Sequence, residues 1–168
     1  MLASRTRAEL RDPFRAAVVV GAALAPDLDL LFRFVDGRNH HNNETHSLGV
    51  ALLAGVAGAL AFPLLRFARP YALAFAASLG WASHTLLDYL NRDTSPPIGL
   101  MALWPWSDAH YKFPWPLFMD IGRTLDATTV RHNLVAAAWE ALLLGPLLYG
   151  ALLYRWRRLE RGQSGPRL

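Results

Sequence analysis

Three short segments of the chain carry residue types suited to binding a metal ion. The first is Pro26-Asp27-Leu28-Asp29, the second runs from His40 and His41 through Glu44 and Thr45 to His46 and Ser47, and the third sets His84 and Asp88 four residues apart. Imidazole and carboxylate are ligands for divalent ions near neutral pH. The spacing of His84 and Asp88 puts both on one face of a helix, within reach of one ion or of each other. Each segment also has a plainer use. Asp27 and Asp29 suit a helix end at an interface, Thr45 or Ser47 suits the N-cap of the apolar helix that follows, and a His–Asp pair often satisfies itself. The surroundings decide between these uses.

Those surroundings are apolar. Hydrophobic residues make up 53% of the 168 and are bunched into four stretches: Phe14 to Val35, Leu48 to Phe67, Tyr71 to Leu90 and Leu134 to Tyr154. Each approaches the roughly 20 residues a membrane-spanning helix needs. Leu48 to Leu65 carries no charge, whereas Asp27, Asp29 and Arg33 interrupt the first stretch, His84 and Asp88 the third, and Glu140 the fourth. A carboxylate in the bilayer core costs about 2.5–3.5 kcal/mol on insertion scales, so each needs a compensating partner. Pro26 is placed to bend or end the first helix and turn the two Asp residues towards a polar site.

Arg5, Arg7, Arg11 and Arg15 precede the first stretch, Arg66 and Arg69 fill the turn after the second, and Arg155, Arg157, Arg158 and Arg161 follow the fourth. Four spans with both termini cytoplasmic place all of these inside. The basic start and Ala23 and Ala25 imitate a signal-peptide cleavage site, but Leu28, Leu30, Leu31 and Phe32 carry the apolar character past it. This topology brings all three polar segments to one outward membrane face. It predicts an all-α integral membrane bundle, a single domain over residues 1–161, with a disordered tail over 162–168. Between the third and fourth stretches, Trp104, Pro105, Trp106, Pro114, Trp115 and Pro116 predict an interfacial loop. The net charge of +4 is carried almost wholly by Arg at the stretch ends, which reads as membrane flanks and not as a nucleic-acid surface.

The chain has no Cys, which excludes thiolate metal sites, iron–sulfur clusters and a Cys nucleophile. The expected ligands are therefore Asp27, Asp29, His41, His46, His84 and Asp88, holding one or two divalent ions. Mixed His and carboxylate donors suit Zn, Mn or Fe better than Ca. Glu44 and Asp108 are candidates to move the proton, and Arg38 or Lys112 to stabilise anionic charge. His40, His110 and His132 are possible substitutes among the ligands, and Glu140 a possible ligand or outer partner.

In order along the chain, Pro26-Asp27-Leu28-Asp29, the segment ending Thr45-His46-Ser47, Ser83-His84-Thr85-Leu86-Leu87-Asp88 and Leu103-Trp104-Pro105-Trp106-Ser107-Asp108 resemble the YdjM family of membrane-bound metal-dependent hydrolases. The resemblance covers about the first two thirds of the chain. It implies a multi-helix inner-membrane protein with a hydrolase site built from these His and Asp residues. Where the family tends to have Arg and Gly after the first His of its second motif, this chain has Asn42 and Asn43, and Arg38 is placed to supply the charge. Location at an interface points to a membrane lipid or lipid-linked phosphoester as substrate. The rival expectation is a non-enzymatic metal carrier or assembly partner, whose polar residues would run through the whole membrane depth.

Overall fold

The computed structural model describes residues 13–94 and 96–161. Arg5, Arg7, Arg11 and the tail 162–168 lie outside the described residues. The described chain is helical: α1 (Pro13–Leu24), a 3-10 run (Ala25–Phe32), one helical turn (Arg33–Asp36), a short 3-10 turn (Glu44–His46), α2 (Leu48–Leu64), α3 (Pro70–Tyr89) and α4 (Ala127–Arg161). It falls into two compact units, one within Arg7–Leu117 and the other within Phe118–Leu168.

The first apolar stretch is broken where Pro26 sits. Without an amide hydrogen at that position the α-helical ladder cannot continue, and the chain winds on as the tighter 3-10 run with Pro26 in its first turn. The 12 residues of α1 are about 18 Å long at 1.5 Å per residue, short of a hydrocarbon core of about 30 Å. Among the described residues one helix, Ala127–Arg157, is both long and apolar enough to cross a membrane, and Leu48–Leu64 is a shorter apolar helix.

In the first unit, helices meet through small residues. Gly55 of α2 faces Ser78 of α3, and a Cβ added at Gly58 would lie 3.2 Å from the Ala74 Cβ. Ser78 Oγ donates to the Ala51 carbonyl at 2.8 Å. At Gly80 the same probe would lie 3.0 Å from the carbonyl oxygen of Val19 in α1. Ala51, Ala74 and Ala77 are buried, while Leu52, Leu53, Val56 and Leu60 of α2 and Phe75 and Leu79 of α3 are exposed. Leu73 of α3 is the large exception, buried among them; otherwise large apolar side chains stand outside and small ones inside, as helices associate in lipid, where burying Leu gains nothing and close backbone approach does.

The segment after α3 clasps the top of this unit. Leu100 and Tyr111 exchange backbone hydrogen bonds of 2.9 Å, and Gly99 makes the turn with φ +93, where a Cβ would lie 2.6 Å from the Tyr111 carbonyl oxygen. Met101 N donates to the Asn42 carbonyl and Leu48 N to that of Ala102. Gly49, in the first turn of α2, lies so close under Trp104 that a Cβ would collide with its carbonyl oxygen. Trp106 and Trp115 stand exposed, while Trp104 is half-buried. In the second unit, Asp126 caps α4 by accepting from Thr129 N at 2.9 Å; these hydrogen bonds to its carboxylate hold its pKa below the usual range.

Candidate metal centre

The 3-10 winding sends Asp27 and Asp29 to opposite sides of one imidazole. Successive residues turn by about 120° in a 3-10 helix, so positions two apart do not share a face as alternate residues of a strand would. Asp29 Oδ2 lies 3.1 Å from His46 Nδ1, and Asp27 Oδ1 lies 3.7 Å from His46 Nε2. His46 itself is held by the turn Glu44–His46. Trp81 Nε1 of α3 donates to the Thr45 carbonyl at 2.8 Å, and Ser47, not Thr45, caps α2 by accepting from Val50 N at 3.1 Å. Thr45 Oγ1 is thereby released to donate to Asp29 Oδ2 at 2.7 Å.

On the Nε2 side of His46 four ligand atoms converge. His46 Nε2 is 3.3 Å from His84 Nε2 and 3.1 Å from Asp88 Oδ2. His84 Nε2 is 3.2 Å from Asp88 Oδ2 and 3.5 Å from Asp27 Oδ1. The α3 spacing performs as read: one helical turn delivers both His84 and Asp88. Ligands bound tetrahedrally at 2.0–2.2 Å stand about 3.3–3.6 Å from one another, and the five separations between these atoms run from 3.1 to 3.7 Å. Asp88 Oδ2 is buried and accepts no well-directed hydrogen bond. Two imidazole nitrogens and two carboxylate oxygens at these separations fit one divalent ion, and the orphaned oxygen is the atom such an ion would satisfy.

A second group, Asp29, His41 and His46, shares His46 with the first. His41 Nδ1 is 3.1 Å from Asp29 Oδ1 and 3.8 Å from Asp27 Oδ1. Asp29 is 2% exposed and His46 0%. Burial alone would push the His46 imidazole down, but the carboxylates of Asp27, Asp29 and Asp88 outweigh it and hold its pKa up at about 11. The pocket of carboxylates thus has a strong demand for positive charge, met by a proton or by a metal ion.

All six expected ligands gather here. None of the accessory candidates belongs to either group of ligands. Glu44 and Asp108 are exposed, and it is the Glu44 carbonyl, not its carboxylate, that accepts from Ser47 Oγ. Arg38 is exposed, with its backbone amide on Asp36 Oδ1. The same Asp36 takes His40, at 2.6 Å, away from the centre; the Arg38 amide and His40 hold its carboxyl below the usual range. His110 lies 3.2 Å from Asn43 Oδ1. His132 and Glu140 belong to the second unit, where His132 Nε2 meets the Asp120 carbonyl at 2.9 Å. Sequence reasoning missed Trp81 as the residue that fixes the His46 turn. A Trp three residues before a ligand in an apolar helix carried no signal of that use.

No curated protein and no solved structure matches the chain. The family model of the YdjM inner membrane protein matches residues 1–159. A match over nearly the whole length, on a chain in which three of the four resembling motifs supply one polar centre, places the protein: it belongs to the YdjM inner membrane protein family.

Proposed function

We propose that this inner membrane protein is a metal-dependent hydrolase whose ion is held by Asp27, His46, His84 and Asp88. The observation that carries the reading is the set of ligand-atom separations, 3.1–3.7 Å, which lie close to those around one tetrahedral divalent ion. A bound divalent ion supplies Lewis acidity and lowers the pKa of a coordinated water. Asp29 fixes the ring of His46 through Nδ1 and so presents Nε2 to the ion, the usual work of an outer carboxylate. His41, on the same carboxylate and 3.8 Å from Asp27, is the group to shuttle a proton or to hold a second ion with Asp29. Glu44 and Asp108, both exposed, pass protons to bulk water, and Arg38 neutralises an anionic leaving group.

The membrane arrangement that goes with this reading has four crossings, both termini cytoplasmic and the centre at the outer face, with a lipid or lipid-linked phosphoester as substrate. A carrier would line its path through the whole depth. The ionisable residues of α3 instead sit at its C-terminal end, and its first half is Ala- and Leu-rich, which supports a site over a path.

The test is elemental mass spectrometry on detergent-purified protein, wild type against a His46→Ala, His84→Ala double variant. Near-stoichiometric Zn or Mn that disappears in the variant is expected, and licenses a screen of phosphoester and lipid substrates. No metal in either protein after reconstitution with both ions overturns the reading. Single Cys residues at Arg38 and Arg69 test the topology, since the chain has no Cys of its own; external labelling of position 69 overturns it.

A further inference from the structure

Beside the polar centre lies a cavity of about 320 Å³ bounded by Leu48, Leu86, Tyr89, Leu100, Leu103 and Tyr111, with Thr85 and Ala102 completing its wall. Three of its residues follow a ligand closely in sequence: Leu48 is two after His46, Thr85 follows His84 and Tyr89 follows Asp88. On α3 one residue is a turn of about 100°, so the face that carries Thr85 and Tyr89 adjoins the face that carries the ligands. The apolar cavity and the polar centre thus draw on the same C-terminal turns of α3 and on the same entry into α2. Leu48, Leu86 and Leu103 line the cavity and are also 45%, 56% and 42% exposed. The cavity is therefore continuous with the outward apolar surface that, in an inner membrane protein, meets lipid.

We propose that this cavity receives one acyl chain of a membrane lipid whose polar ester end lies at the His46, His84 and Asp88 centre. The role of the ester end rests on the hydrolase reading; the chain site rests on the cavity alone. Its size, near the lower end of the roughly 300–1,000 Å³ of small-molecule sites, suits one chain and not a headgroup, and its aliphatic and aromatic walls offer a headgroup few partners. Moving a chain from bilayer to an apolar wall gains little free energy, because lipid tails are as apolar as Leu. The cavity thus serves to select and orient a lipid, bringing its ester to the ligands from the side.

The test uses full-length protein in vesicles of phosphatidylethanolamine and phosphatidylglycerol, with a trace of phosphatidylglycerol bearing a diazirine near the end of one acyl chain. After illumination, labelled peptides are mapped by mass spectrometry. The expected result is labelling of residues 86–89 and 100–103 severalfold above that of the outward face of α2 at Leu52 and Leu60. Ala102→Phe and Leu86→Trp, which fill the cavity, are expected to reduce it to the α2 level. Even labelling of cavity and outer faces in the wild type overturns the chain site, whatever the variants do. Metal content of the same samples separates the two readings: metal with even labelling overturns the chain site alone, and cavity labelling without metal overturns the hydrolase reading alone.

Discussion

The two longest helices, α3 and α4, use their length in opposite ways. α4 runs for 35 residues with Glu140 as the one residue charged at neutral pH between His132 and Arg155, and its membrane-length apolar part is only 6% buried within the protein. α3 has 20 residues, long enough for a span but less apolar than that part of α4, because Ser78, Trp81, Ser83, His84 and Asp88 occupy positions where Leu would serve a bare span. Ser78 anchors a neighbouring helix, Trp81 holds the His46 turn, Ser83 donates to the Gly80 carbonyl of its own helix, and His84 and Asp88 belong to the candidate centre. The lesson is that an apolar helix is weakest as a membrane signal where it is busiest as a scaffold.

The largest expected effect sets His84→Ala against Glu140→Ala. Both remove an ionisable residue from an apolar helix. Loss of His84 is expected to abolish stoichiometric metal binding, beyond the about 10–100-fold that loss of an outer partner costs. Loss of Glu140 is expected to leave metal content unchanged, since it belongs to neither group of His and Asp residues that could hold an ion. Metal lost from the Glu140→Ala protein would break the contrast between the two helices.

How much of this was legible in the sequence follows the same division. The His84–Asp88 pair was readable because helical periodicity alone sets its geometry, and α4 because hydropathy alone defines it. The convergence of Asp27, Asp29, His41 and His46 was readable as a cluster, but not as two sides of one imidazole. That arrangement depends on the 3-10 winding after Pro26, and sequence gives Pro26 as a break without giving the winding that follows it. The isolation of His40 was hidden for a similar reason: it turns on Asp36 lying four residues earlier across the left-handed Gly37. The Leu100 and Tyr111 pairing that closes the cavity joins residues whose local sequence, broken by Pro105, offers no strand signal.

The proton competition gives the next effect. His46 has its pKa raised from 6.5 to about 11, so at any pH below that an ion must displace its proton, and binding strengthens as pH rises. Each displaced proton changes the apparent affinity about tenfold per pH unit, so lowering the pH from about 8 to about 6 is expected to weaken Zn binding by at least about 100-fold, read by competition with a chelating dye. The raised pKa also stabilises the metal-free protein below pH 6.5, a contribution lost as pH rises through about 11. A flat affinity across this range would mean His46 is not a ligand. Asp29→Asn keeps the shape but removes the charge that orients His46, and is expected to cost about 10–100-fold in metal affinity while leaving the Asp27, His84 and Asp88 positions in place.

The smallest contrast compares glycines on the two helices. At Gly80 of α3 an added Cβ would stand 3.0 Å from the Val19 carbonyl oxygen of α1, and backbone cannot swing aside as a side-chain tip can; at Gly150 of α4 nothing lies within 4 Å. Gly80→Leu is therefore expected to destabilise the first unit by about 1–3 kcal/mol, the usual cost of overpacking, by prising α1 from α3. Since α1 leads directly into Asp27 and Asp29 while His84 is one turn along from Gly80, the same change should weaken metal binding as well as thermal stability. Gly150→Leu should do neither, and even raise stability slightly, because Leu is a better helix former than Gly and its side chain meets open space. Thermal unfolding in detergent, monitored with and without Zn, reads both. A loss of stability in Gly80→Leu with metal affinity intact would show that α1 packing and ligand placement are independent. Parallel losses would make the α1–α3 contact part of what holds Asp27 opposite His84.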